Sequence, residues 1–373
     1  MIIEEQLARH SYFKPWRDPL TGLTSYLLDE RVAPLQKSFY FVNTSYHNDG
    51  PWLWFEYAHP PAPFKSLAAV CLNPDKPTLR TFPHTTIGVE TPMLLPDGSM
   101  LLAMAASSPD IYHLDLDGNI ERFASIPETY VRNRRIDRTG THFTLTADGR
   151  SILIDGKVGN VWYVALIDKE TRAFHLIKEF TRNYNHGQCS PINPSLFSIA
   201  QDHWKDPYTG QAFDYDNRIW LMTTDGERCE PVEPGYYHSP GNRGNQVCHE
   251  FWAEDGTLCW IRYKEGAYEM NPATKSIIPV WKRPLCHAHC TRDRRLWVAD
   301  QSPYLWPQPC SVLLFDRVSG TETAIVSGMP EPITKRMPYH CDPHPRFIAN
   351  DSCIVYTTTV HGRVDVALYP VAP

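Results

Sequence analysis

The sequence predicts an all-β protein built as a seven-bladed β-propeller, and three observations carry that expectation. Aromatic residues make up 12% of the 373 positions, and 33 prolines and 20 glycines punctuate the chain, which suits many short strands joined by turns. One phrase, a turn that is often Asp-Gly followed by a short apolar strand, recurs along the whole chain. Most copies are followed by further strand-like segments, and with the strand before each turn these make four antiparallel strands, the content of one propeller blade.

The copies are DGPWLWFEY from Asp49, DGSMLLAMA from Asp97, DGRSILIDG from Asp148, NPSLFSIAQ from Asn193, DGTLCWIRY from Asp255, DRRLWVAD from Asp293 and NDSCIVYTT from Asn350. Second strands follow as DIYHLDLDG, NVWYVALIDKET, NRIWLMTTDG, CSVLLFDRVSG and VDVALYPV, and shorter third strands as NIERFA, AFHLIKEF, SIIPVW and TETAIV. The last repeat lacks an outer strand after VDVALYPV, whereas TGLTSYLL, around Leu23 to Leu28, is strand-like and unassigned. An N-terminal strand closing the ring would remove the open edge, so residues 1–373 are expected to form one propeller domain. Seven unconnected hairpins are the plainer alternative.

Charge and hydropathy exclude some functions. The formal charge of -6 is spread without a basic stripe, so there is no footprint for nucleic acid. No apolar run approaches membrane-spanning length. The N-terminus, MIIEEQLARHSYFKPW, is acidic and has no apolar core of the kind a secretory leader needs. A cytoplasmic protein with ten reduced cysteines is therefore expected. The oligomeric state is left open.

In a propeller the strand before each turn lies nearest the axis, so equivalent positions on those strands face a common funnel. Six residues before each turn stand Asn43, Thr91, His142, Gly187, His249, His287 and His344, with His186 and Gln188 on either side of Gly187. Four of these seven are histidine, where 16 histidines in 373 residues would place fewer than one by chance. A lone buried histidine is usually a satisfied core residue. A ring of them in register points instead to a divalent transition metal, for which neutral imidazole is a good ligand.

The stretch PLCHAHCTRD places His289 two residues after His287, on the same face of an extended strand. Cys286 and Cys290 are spaced too widely for a Cys-x-x-Cys redox pair and have too few partners for a structural zinc site, so they read as packing residues. HCDPHPRF adds His340, Asp342 and His344 from the final repeat.

At these residues the chain resembles the oligogalacturonate lyases of polysaccharide lyase family 22, intracellular seven-bladed propellers. CHEFWAEDG resembles the segment with the family's Brønsted base, which maps to His249. DNRIWLMTTDG resembles the segment of the active-site arginine, which maps to Arg218. LCHAHCTRD resembles the segment of the first manganese ligand, mapping to His287, and DPHPRF resembles the His-Pro-His-Pro segment, with His344 in place of its last histidine. NHGQCSP, with His186 and Gln188, is similar to a further segment near the active site. Three departures stand out. Asp342 occupies the place of a histidine ligand, Tyr339 that of a glutamine, and AQDHW, from Ala200 to Trp204, replaces a Cys-His-Glu-Gly-Pro stretch.

The resemblance implies a lyase that removes the C5 proton of a uronate and breaks the bond at C4. Mn²⁺ or another divalent ion would be held by His287, Asp342 and His344, with help from His340 or His289. His249 would act as base and Arg218 would pair with carboxylate. His142, His186, Gln188 and Arg243 would line the sugar subsites of a small acidic oligosaccharide. Two other readings compete: a lyase of the same scaffold acting on a different uronate-containing oligosaccharide, and a propeller that binds a ligand without catalysis.

Overall fold

Segments such as WLWFEYA are apolar at nearly every position because a blade's middle strands are covered on both faces by the neighbouring blades. Trp52–Ala58 is buried throughout except at its first residue, whereas in the outer strand Ile120–Ser125 only Ala124 is buried and Glu121 and Arg122 are exposed. In the computed structural model, which describes residues 4–88, 91–105, 108–206, 209–213, 215, 217–234, 247–301, 309–330 and 339–371, these strands assemble into a seven-bladed β-propeller.

Within each blade sequential strands pair antiparallel, inner to outer. Blade 1 runs from Leu35–Lys37 to Thr78–Ile87 and blade 2 from Met93–Leu94 to Ile120–Ser125. Blade 3 runs from Ile136–Arg138 to Phe174–Phe180 and blade 4 from Tyr184–Cys189 to Cys229–Pro231. Blade 5 runs from Val247–Trp252 to Ser276–Trp281, and blade 6 from Ala288–Cys290 to Thr321–Met329.

Blade 7 holds Arg346–Ile348, Cys353–Thr358 and Asp365–Pro370, and the N-terminal segment completes it with two strands. Thr24–Leu28 pairs with Asp365–Pro370, placing Tyr26 opposite Leu368, and Phe13–Arg17 adds outside it.

The repeated turn is explained by its first residue. Asp97, Asp148, Asp255 and Asp293 each accept, through Oδ1, the backbone N–H two residues on. The residue between is left-handed, at φ 83° for Gly256, and Arg294 adopts the same form at φ 55°. The core lies between blades: Trp54, Trp260 and Trp297 are fully buried in three separate interblade clusters. Burying a tryptophan removes roughly 200 Å² from water, about 5 kcal/mol each at 25 cal/mol/Å². All ten cysteines are free thiols. No helix among the described residues is long and apolar enough to cross a membrane.

Candidate active site and metal centre

Two inner strands carry a bulge at their histidine. Asn185 pairs with Ala200 and Gln188 with Ser198, leaving His186 and Gly187 opposite one residue; Cys248 pairs with Ile261 and Phe251 with Cys259, leaving His249 and Glu250 likewise. His186 and His249 are left-handed there, at φ 56° and 53°, which turns their side chains out of the strand's alternation. The residue equivalent to His249 is therefore His186, and not Gly187 as counting back from the turn suggests. The loop of blade 4, residues 190–195, is one residue longer than residues 253–257 of blade 5, and this shifts the count.

Gly187 has its own reason to be glycine. Its N–H donates to Asp155 at 2.6 Å, and a Cβ there would stand 3.2 Å from the same carboxylate.

A cavity of about 350 Å³ is lined by His142, His186, His249 and His340 together with Arg218 and Tyr40. His287 and His344 lie behind this lining, at 1% and 0% exposure. One ligand atom each from His287, His340, Asp342 and His344 lies within 4.8 Å of the others, so the four could hold one ion. His344 supplies the test of fit. Both its ring nitrogens are buried without a hydrogen-bond partner, an arrangement that costs about 1–3 kcal/mol and that ligation of one nitrogen would relieve.

His287 is oriented by Asp300, whose carboxyl faces ring Nδ1 at 3.0 and 3.1 Å, so Nε2 is the atom left for an ion. The same carboxyl receives the backbone N–H of His287 and of His344, each at 3.0 Å, tying blade 6 to blade 7. Burial lowers the His287 imidazole to about 3, against the attraction of Asp342, and burial followed by the Asp342 charge pushes Asp300 well up. The imidazole is thus neutral, the form a ligand needs.

A second group, His249, Cys286 and His287, also clusters. Burial raises the Cys286 thiol well above its usual range, which keeps it protonated and makes it the poorer ligand set. Of the two cysteines read as packing residues, Cys290 sits in the core cluster, whereas Cys286 also approaches His249 Nδ1 at 3.8 Å and His287 Nε2 at 3.9 Å.

The His249 ring stands 4.0 Å from that of His287. Its Nδ1 contacts the carbonyl of Cys286, which can only accept, so Nδ1 carries the proton and Nε2 keeps its lone pair, with the Tyr263 hydroxyl 3.5 Å away. Burial, and next the neighbouring His287, holds the imidazole well below its ordinary value, so it is neutral at physiological pH. Arg218, 8% exposed, is held by Asp202 at 2.9 Å and approaches Glu250 at 3.6 Å. Asp202 belongs to the AQDHW stretch. Burial raises Glu250 against the pull of Arg218, so Asp202 is the main counter-ion.

His142 and His186 meet at 3.2 Å, and Tyr40 stacks on His142 with ring centroids 5.2 Å apart. Burial brings His142 down to about 3. Other expected site residues lie elsewhere. Gln188 is buried and donates to the Glu250 carbonyl at 2.9 Å, outside the cavity lining. His289 stacks on Phe251 rather than joining the ligand group, because two residues along a strand is roughly 6.6 Å, too far to share an ion with His287. Tyr339 is buried and its hydroxyl donates to the Ala62 carbonyl. Arg243 lies outside the described residues.

No protein-family model and no curated relative matches the chain. Among solved structures, an oligogalacturonate lyase in complex with manganese superposes with a TM-score of 0.74 at 19% identity, over 96% of each chain. An oligogalacturonate lyase from Vibrio parahaemolyticus does so with a TM-score of 0.74 at 16% identity, also over 96% of each. The fold is that of the oligogalacturonate lyases. Identity this low shows the shared fold and not a shared chemistry.

Several residues of the site escaped the sequence reading. Tyr40 packs against His142, His287, His340 and His344, with ring centroids 4.8 to 5.9 Å away. Glu56, Asp155 and Asp300 are buried carboxylates in strands covered on both faces. Each stands seven residues after its turn aspartate, Asp49, Asp148 or Asp293. A charge placed there must have a partner, and that recurrence was the available signal.

Proposed function

We propose that the protein is a metal-dependent lyase that cleaves oligogalacturonates or related oligouronides by β-elimination, leaving a 4,5-unsaturated uronate. The observation that carries this reading is the pairing of a four-ligand group with a neutral histidine beside it whose unprotonated nitrogen is Nε2.

His287, His340, Asp342 and His344 would hold the ion, an oxygen and nitrogen donor set that suits manganese. Bound there, a divalent ion supplies Lewis acidity to the uronate carboxylate and so acidifies C5. His249 Nε2 takes the C5 proton; the C–H electron pair becomes the C4–C5 double bond, and the C4–O bond breaks with its pair on the leaving oxygen, which solvent protonates. The Cys286 carbonyl keeps the His249 ring in the tautomer that can accept. Arg218 places positive charge beside the reacting carboxylate.

A different uronate-containing oligosaccharide is favoured by one observation. Arg218 is already held by Asp202, from a stretch that departs from the lyases this chain resembles. Turnover of a panel of oligouronides, read as the ultraviolet absorbance of the new double bond, tests both readings. Absorbance with galacturonides supports the first, with other uronides alone the second, and with none overturns the lyase reading.

A further inference from the structure

Four cations line the cavity: Lys37, Lys65, Arg138 and Arg218. Three of them form ion pairs with carboxylates. Lys37 and Lys65 share Glu56 Oε2 at 2.8 and 2.9 Å, and Arg218 is held by Asp202. Arg138 forms none. Its guanidinium makes one hydrogen bond, from Nη1 to Thr141 Oγ1 at 3.4 Å, and no carboxylate among the described residues forms an ion pair with it. The buried Asp155, which feels its charge, is committed to Thr141 and Gly187.

Arg138 also borders a second cavity of about 220 Å³, and Asn185 is shared between the two. Asp137 in that second cavity is already paired with Arg135 and Lys157, so it does not repel an anion on its own. Asn185 is 4% exposed, and its Oδ1 has no hydrogen-bond partner, an acceptor waiting for a donor such as a sugar hydroxyl. An unmatched planar guanidinium beside a buried, unpartnered amide oxygen is the chemistry that recognises a carboxylate on a hydroxylated ring.

We propose that Arg138 binds the carboxylate of a second uronate unit adjoining the one cleaved, with Asn185 accepting a hydroxyl of that unit and the second cavity receiving its ring. The uronate class rests on the lyase reading above; the site for a second anion rests on Arg138 and Asn185 themselves.

The test is calorimetric binding of digalacturonate and of monomeric galacturonate to the Mn²⁺-supplemented protein, with and without Arg138→Gln, in a His249→Ala background that prevents turnover. Arg138→Gln should weaken digalacturonate binding about 10- to 100-fold, the range for a hydrogen-bonded charge pair, and leave galacturonate binding unchanged. Arg138→Lys should fall between, because it keeps the charge without the paired donors. Equal digalacturonate affinity in all three proteins, an equal loss for monomer and dimer, or no binding of digalacturonate to the Arg138 protein would each overturn the proposal. A failure of the lyase reading is distinguishable: Arg138-dependent binding would persist while the protein with His249 intact forms no unsaturated product.

Discussion

Asp300 receives both the backbone N–H of His287, at 3.0 Å, and its ring Nδ1, at 3.0 and 3.1 Å. A ring fixed at both ends of its Nδ1 side presents Nε2 in one direction, and the third hydrogen bond, from His344 N, sets the second ligand strand against the first. Asp300→Asn should therefore lower metal affinity about 10- to 100-fold, as loss of an orienting carboxylate usually does, with the ligands themselves untouched. Metal titration of the purified variant checks this, and parental affinity would show that Asp300 only braces the blades.

The ligand group makes a sharper statement about Asp342. His340 Nε2 lies 3.1 Å from Asp342 Oδ2, so the two compete for each other when no ion is present. Asp342→Ala should lose metal, whereas Asp342→His should retain it, because imidazole is also a competent ligand for a divalent transition metal. Metal content after dialysis separates the outcomes. Retention by Asp342→Ala would transfer the role to His340 alone.

His249 is set apart from that group by its tautomer. His249→Ala should keep the fold and the bound ion while oligouronide turnover falls by roughly 10² to 10⁴, the usual contribution of a general base. Parallel loss of ion and activity would make His249 a ligand, in the second cluster with Cys286 and His287.

Much of this was legible in the sequence because the repeat is written in turn chemistry. The Asp-Gly phrase fixes where each second strand begins, and stepping back from it locates His142, His249, His287 and His344. The step fails at blade 4, where the longer loop displaces the register and the bulge at His186 cannot be seen without its partner strand. His289 shares the face of His287 but not its depth, because alternation gives the face of a strand and not the position along it. Tyr40 belongs to a segment of blade 1 whose approach to the blade 7 histidines is a property of ring closure alone. Glu56, Asp155 and Asp300 share one repeat position, yet each holds different groups: Glu56 holds Lys37 and Lys65 of its own blade, whereas Asp155 and Asp300 each hold one group of their own blade and one of the next, Thr141 and Gly187 for the first, His287 and His344 for the second.

The buried histidines also predict acid sensitivity. His142, lowered by burial from 6.5 to about 3, stays neutral in the folded protein while the unfolded chain takes up its proton, so the stability it contributes is complete above pH 6.5 and is lost as pH falls toward 3. Each pH unit in that window costs up to about 1.4 kcal/mol for one such group. His142→Gln, measured by thermal melting of the chelated protein, should flatten the decline in melting temperature below pH 6.5. An unchanged slope would mean that His142 is protonated without penalty.

The ultraviolet absorbance of Mn²⁺-supplemented protein mixed with oligogalacturonate tests the proposed metal-assisted elimination across C4 and C5 of a uronate most directly. Elimination conjugates the new double bond to the carboxylate, so the account predicts absorbance that rises with time, stops on addition of chelator and resumes when Mn²⁺ is restored. New reducing ends without that absorbance would reveal a hydrolase, and unchanged absorbance with the ion demonstrably bound would contradict the lyase reading.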